Sequence, residues 1–453
     1  MIRSCLALAA ALVCLHAAPL AAATFDEGDI KDAAGKAVLS YAVSAPKDMA
    51  PAGTTDPAKQ VGLILCYHEH NGKVSDEMPP VIESLERLKA RDGFVVIGVH
   101  HVEHMYTKDD HAHTVELIAW ARKTFPINPR RVYNFGKGEG STMSIEFALE
   151  HPDLIACAIG YSWGFRFMPE SKDPEGELPS LYLAIGLKDT PTHPPMVRDT
   201  YAKAKPKGYH LIFREFDAQG PSRHPPTNDE AMAWLIATRN KVLPLSAEEA
   251  ELVKPLATPA PGAAAFNAAM LVGGPQTGAL VAPLFGAKSD AVKLMAIASA
   301  GHAVYGEAAL AALGKTLTDK SAAVRAAAIT ALGINAQWGS HAAQEALADC
   351  VTGGKRFEQE DRILAIAAIA KATALQTVRQ QDVILYTALV KALDDDQAGV
   401  RAAAFTVLRP YQTSDYKPEA DKAARMAALA AWQTWLDGII AKDSAAKPAA
   451  PAH

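Results

Sequence analysis

The sequence predicts an α/β domain on a doubly wound, mostly parallel sheet, followed by an all-α stack of helices. Three observations predict it. Between Thr24 and about Asn240, short β-rich apolar runs alternate with helically spaced ones. From Pro244 to about Gly262 the composition turns to Pro, Ala and acidic residues, as in a linker. Beyond it every apolar run has helical spacing and is rich in alanine. With 453 residues the chain exceeds the ~100–200 usual for one domain, so two cores are expected.

The first segment reads as a secretory signal peptide. Arg3 precedes an apolar run from Leu6 to Leu15, and Ala21 and Ala23 form a small-x-small cleavage signal, giving a signal over 1–23. The chain is therefore expected to be secreted or periplasmic. No later stretch reaches the ~20 apolar residues of a spanning helix, so no membrane span is expected. Cys14 follows Leu12 and Val13, which lack the small residue a lipid anchor needs. The net charge of -5 argues against a nucleic-acid partner. Cys66, Cys157 and Cys350 each sit in an apolar run and are expected as buried free thiols.

The α/β domain is expected over 24–243. Strands are expected at Val61–Tyr67, Phe94–Val99, Arg131–Phe135, Ile155–Gly160, Ser180–Ile185 and Tyr209–Phe216. Between them helices are expected at Asp76–Arg91, His113–Thr124 and up to His151, with Asn228–Asn240 closing the domain. A linker over 244–262, helical repeats over 263–440 and a disordered tail over 441–453 complete the chain.

In the helical part, Leu317-Thr-Asp319 with Val324-Arg325-Ala-Ala-Ala recurs as Leu393-Asp-Asp395 with Val400-Arg401-Ala-Ala-Ala. The offset of 76 residues is about two units of a ~40-residue repeat. This pattern resembles HEAT-type repeats. The resemblance implies a solenoid for binding a protein partner, with an Asp-to-Arg ladder between successive turns.

The glycine-rich segment Phe135-Gly136-Lys-Gly138-Glu-Gly140-Ser141 follows an expected strand and opens an expected helix. A sharp strand-to-helix turn flanked by small residues is the setting of the GxSxG nucleophile elbow. With the upstream Pro126–Arg131 turn and downstream Ala148–Asp153, the region resembles the polyhydroxybutyrate-depolymerase-like and carboxylesterase branch of the α/β-hydrolases, over about Asp29 to Asn240. The nucleophile position is Gly138, which has no oxygen to attack an acyl carbon. The resemblance implies that Asp189 is the triad-like acid and His224 the triad-like histidine. Ser141 and Ser162 are alternative hydroxyls, and neither stands at the elbow apex.

Seven of the 15 histidines lie between His68 and His113. His68 and His70 follow one strand, and His100, His101 and His104 follow the next, at the carboxyl edge where open α/β sheets bind ligands. Candidate ligand-binding residues are His68, His70, Glu139, His100, His101 and Ser141. No cofactor is required by any motif. A divalent metal on two or three rim imidazoles, with Glu139, Glu103, Asp109 or Asp110 as oxygen ligands, is one use of the cluster.

Three functions follow as expectations. One is a non-catalytic binding module for a small-molecule or polymer ligand of ester or carbohydrate type, joined to a protein-interaction solenoid. Another is an esterase-type hydrolase with an unusual nucleophile or a metal-bound water. The last is an envelope scaffold acting through the repeats.

Overall fold

The computed structural model describes residues 25–101, 106–170, 178–190, 193–217, 219–220, 224–373 and 382–445. The expected signal peptide lies outside them. So do residues 446–453 of the expected tail.

An eight-stranded sheet in the order β1-β2-β4-β3-β5-β6-β7-β8 forms the first part of the chain. Its strands are β1 (Asp26–Lys31), β2 (Ala37–Ser44), β3 (Val61–Tyr67), β4 (Phe94–His101), β5 (Ile127–Lys137), β6 (Cys157–Tyr161), β7 (Ser180–Gly186) and β8 (Leu211–Phe216). β2 is antiparallel to β1 and β4, and every other pairing is parallel. Every residue of β3 and of β7 is buried, as continuous apolar runs require when both faces are covered.

Alternation along the strands sends Leu63, Leu65, Val95, Ile97, Leu181 and Leu183 to one face. There they meet α2 (Lys108–Thr124), α3 (Glu139–Glu150) and α4 (His193–Ala204), through Leu117, Phe147 and Val197 among others. Ile64, Cys66, Val96, Tyr182 and Ile212 point the other way, against α1 (Met78–Arg87) and α5 (Pro225–Ala237). Trp234 of α5 is fully buried there, and a side chain of this kind contributes roughly 1.5–3 kcal/mol or more on burial. Asp229 of α5 ties the two helices together by accepting from Ser84 and Arg87 of α1.

The segment expected as a linker is folded. Ser246 caps α6 (Ala247–Val253) in a reciprocal box with Glu249, and Val253 and Leu256 enter the helical core. Then follow α7 (Ala263–Val272), α8 (Gly274–Val281), α9 (Asp290–Ala300), α10 (Glu307–Gly314), α11 (Ala322–Gln337), α12 (His341–Thr352), α13 (Gln359–Thr373), α14 (Val383–Ala392), α15 (Ala398–Leu408) and α16 (Lys422–Ala445). The last helix runs five residues into the expected tail, because no breaker intervenes before Pro448. Alternate helices pack on one another, α9-α11-α13-α15 in one layer and α10-α12-α14-α16 in the other. Among the described residues no helix is long and apolar enough to cross a membrane.

Charged pairs join successive helices of the first layer. Lys293 meets Asp319 at 2.6 Å, Arg325 meets Asp361 and Arg362 meets Asp395. Arg325 also donates to the carbonyl of Asp319 at 2.9 Å, and Arg401 to that of Asp395 at 2.7 Å. The two sequence copies thus make the same bond, and Arg325 with Asp361 and Arg362 with Asp395 form Asp-to-Arg rungs of the kind the resemblance implied.

Arginines of the sheet domain bind carbonyls at the helix ends of the second part. Arg239 donates to Leu271 O at 3.0 Å in the last turn of α7, and Arg214 to Gln337 O, the last residue of α11. Such carbonyls have no partner within their own helix, and the helix dipole favours a cation beside them. Arg214 lies wholly buried on β8 and also holds Glu230 at 2.6 Å. Burial pushes the nearby Asp382 carboxyl up to about 7, against the pull of Arg214.

Two outcomes follow from this seam. Arg214→Leu leaves buried carboxylates uncompensated and is expected to cost about 3–5 kcal/mol in urea unfolding. A carboxyl whose folded pKa is raised stabilises the fold fully below its unfolded value near ~4. That contribution is lost as pH rises through about 7. Between pH ~4 and ~7 the wild-type protein is therefore expected to lose stability relative to Asp382→Asn, measured by unfolding of both across that range.

Candidate functional site

β5 ends at Lys137, Gly138 turns with φ 57° and ψ -125°, and α3 begins at Glu139. This is a strand-turn-helix elbow at the carboxyl edge of the sheet. Its flanking glycines are required by contact. A Cβ at Gly136 would stand 1.9 Å from Gly140 O, and one at Gly140 would stand 2.2 Å from Tyr67 O at the end of β3. The Gly138 amide donates to Tyr161 O at 2.9 Å and fixes the turn over β6.

The apex itself is filled. A Cβ at Gly138 would lie 2.8 Å from Glu69 Cβ and 3.5 Å from its Cα. Glu69 thus occupies the space into which a nucleophile at this position would project. Lys137, immediately before the apex, holds the Glu69 carboxylate at 3.0 Å and lies 3.9 Å from Glu77.

Around the apex the imidazoles order themselves by proton count. His68 is 1% exposed, with Nδ1 2.7 Å from Glu69 O and Nε2 2.8 Å from His100 Nδ1. A carbonyl only accepts, so His68 Nδ1 carries the proton, its Nε2 accepts, and His100 Nδ1 donates. Burial pushes the His68 pKa down, which keeps this neutral arrangement. Glu139 accepts from the Tyr106 amide at 2.8 Å and faces His70 Nδ1 at 3.3 Å. The Tyr106 hydroxyl donates to Val99 O at 3.1 Å, and burial raises its pKa well above the usual phenol range.

Asp189 and His224 stand in the loops after β7 and β8, in the expected order. They do not form the expected pair. Asp189 accepts from Ser162 Oγ at 2.8 Å and from the amides of Gly186 and Gly220. His224 Nδ1 instead meets Thr227 Oγ1 at 2.6 Å, one turn into α5. Among the described residues no hydrogen bond or ion pair joins the two. Ser162, at φ 63° and 5% exposed, is held in a conformation that costs a non-glycine residue on the order of 1–3 kcal/mol.

Ser141 is corrected as a ligand-binding or nucleophilic residue. It is fully buried, and its hydroxyl donates to Trp163 O at 3.1 Å. It lies one residue inside the elbow glycine Gly140 and faces the sheet, where a Cβ at Gly160 would come within 2.2 Å of its hydroxyl. His101 ends β4 in register with Leu39; its side chain lies outside the described residues, as do Glu103 and His104. Asp110 caps α2 by accepting from Thr107 N at 2.6 Å. Among the described residues, the rim does not gather three metal-ligating atoms; that grouping occurs at His111, Glu150 and His151.

Sequence reasoning missed Glu69 as the residue that fills the elbow, and Ser162 as the partner of Asp189. Glu69 lay in plain view between His68 and His70. Its contact with Gly138 depends on how the loop after β3 folds over β5, for which the sequence carries no signal.

No family model matches the chain, and no curated protein matches it. Among solved structures it is similar to S-formylglutathione hydrolase (FrmB) from Staphylococcus aureus in its apoenzyme form, at 16% identity and TM-score 0.37, covering 47% of this chain and 98% of that one. It is also similar to a thermostable esterase at 15% identity and TM-score 0.38, covering 48% of this chain and 63% of that one. A ferulic acid esterase is similar at 12% identity and TM-score 0.37, covering 46% of this chain and 94% of that one.

Gly138→Ser tests the filled apex. The side chain meets both the left-handed backbone and Glu69, so the variant is expected to lose about 1–3 kcal/mol of stability in urea unfolding. Adding Glu69→Gly is expected to recover part of that loss.

Proposed function

We propose that the sheet domain is a hydrolase-like module that has given up acyl chemistry and works by binding. The helical part serves as a HEAT-like solenoid that presents a second surface to a protein partner, within a secreted or periplasmic protein. The observation that carries this reading is Glu69, whose side chain stands where a nucleophile on the elbow would project. Mere absence of serine would leave an open cleft, whereas here the place is taken and held by Lys137.

Two further observations support it. Asp189 is engaged by Ser162 and two amides, and His224 by Thr227, so neither is poised to orient or receive a proton at the apex. Ser141 offers no replacement, since its hydroxyl is committed to Trp163 inside the fold. What remains at the carboxyl edge is a polar rim of His68, His70, His100 and Glu139. Imidazoles and a carboxylate suit hydroxyl and carbonyl groups, so the ligand class is a small molecule or polymer of ester or carbohydrate type.

The test is chemical. The purified protein is expected neither to turn over short-chain nitrophenyl esters nor to be labelled by a fluorophosphonate, which reacts with activated serines. Ester turnover abolished by His224→Ala would overturn the proposal, because it would put the histidine in a working site.

A further inference from the structure

We propose that His111, Glu150 and His151 form a site for a divalent transition metal of the zinc type, which clasps α2 to α3. The three side chains come from two elements. His111 lies in the first turns of α2, Glu150 is the last residue of α3, and His151 is its C-cap. One ligand atom from each lies within 4.8 Å of the other two. His111 Nδ1 and Glu150 Oε2 already face each other at 2.5 Å. Two zinc bonds of about 2.0–2.1 Å at a tetrahedral angle place their donors ~3.4 Å apart. An ion between them therefore needs only side-chain adjustment.

The surroundings suit an ion. Phe147, fully buried, packs against both rings, with its centroid 5.5 Å from that of His111 and 4.6 Å from that of His151. This apolar wall restricts both imidazoles and keeps water from one side. The carboxyl end of α3 carries the negative end of the helix dipole, which favours a cation there. Two imidazoles and one carboxylate leave a fourth position for water and select zinc, copper or nickel over magnesium or calcium.

The site lies about 16 Å along α3 from the elbow, by helix rise, so it does not supply the chemistry missing at Gly138. It is independent of the binding role proposed for the rim, and either can fail alone.

The experiment uses the full-length, untagged protein stripped with chelator and dialysed against zinc or cobalt. Stoichiometric binding is expected, with the visible spectrum of four-coordinate cobalt and a rise in Tm on adding zinc. His111→Ala, Glu150→Gln and His151→Gln are each expected to weaken zinc binding at least about 100-fold and to abolish the Tm rise. If His111→Ala fails to fold, Glu150→Gln carries the test, since that side chain is 28% exposed. No zinc bound by the wild-type protein would overturn the site and leave His111 and Glu150 as an ion pair only. Zinc retained by all three variants would overturn it equally, by placing the ion elsewhere.

Discussion

Two side chains cannot share the space above the carboxyl end of β5, and Glu69 has it. The elbow is forced by close approach: Gly140 passes so near Tyr67 O, and Gly136 so near Gly140 O, that neither tolerates a Cβ. The turn is thereby fixed against β3, and the loop following β3 must lie directly over it. Gly138 in the left-handed region then leaves an opening, which the loop fills with the Cβ of its second residue. Lys137 secures the filling residue, and Glu139 turns aside to Tyr106 and His70. A change at one apex therefore propagates through three consecutive residues and two loops.

A different economy holds the two halves of the chain together. Every α-helix leaves its last four backbone carbonyls without partners of its own. The sheet domain answers with guanidinium groups, each able to donate in several directions. Arg239 closes the end of α7, Arg130 reaches Gly273 O just beyond it at 3.4 Å, and Arg214 closes α11. The backbone joins in where Val304 N donates to Ala237 O at 3.1 Å. Trp338, just past α11, packs into the core beneath β8. Burying these cations is costly, and they repay it by bonding groups that would otherwise be orphaned.

What could be read from sequence follows the same physics. β3, β6 and β7 were legible because strands covered on both faces are near-continuous apolar runs, and β4, β5 and β8 through the apolar stretches they contain. β1 was not, since Asp26–Lys31 is a polar edge strand with most of its side chains in water. α4 escaped notice because Pro194 and Pro195 suggest a loop, yet both fall in the first turn, where a missing amide costs nothing. The proline-rich composition of 244–262 hid a helix that its Ser246 and Glu249 capping box announces. At the site, Gly138 and the positions of Asp189 and His224 were legible from motif order. The partners of Gly138 and Asp189 were not, because Glu69 and Ser162 reach them through loop conformations that no local spacing encodes, whereas Thr227 meets His224 from the first turn of the same helix.

Glu69 also explains why the rim is ordered. Its side chain closes the elbow, while its backbone carbonyl accepts the His68 Nδ1 proton and so decides the tautomer of that ring. With Nδ1 protonated, His68 Nε2 must accept, and His100 must turn its protonated Nδ1 inward. One residue thus packs against the elbow glycine and sets the donor and acceptor pattern of the neighbouring imidazoles. A catalytic elbow needs its histidine mobile enough to take and return a proton. A binding rim gains from the opposite, since imidazoles with fixed tautomers present one pattern to a ligand without paying to reorganise.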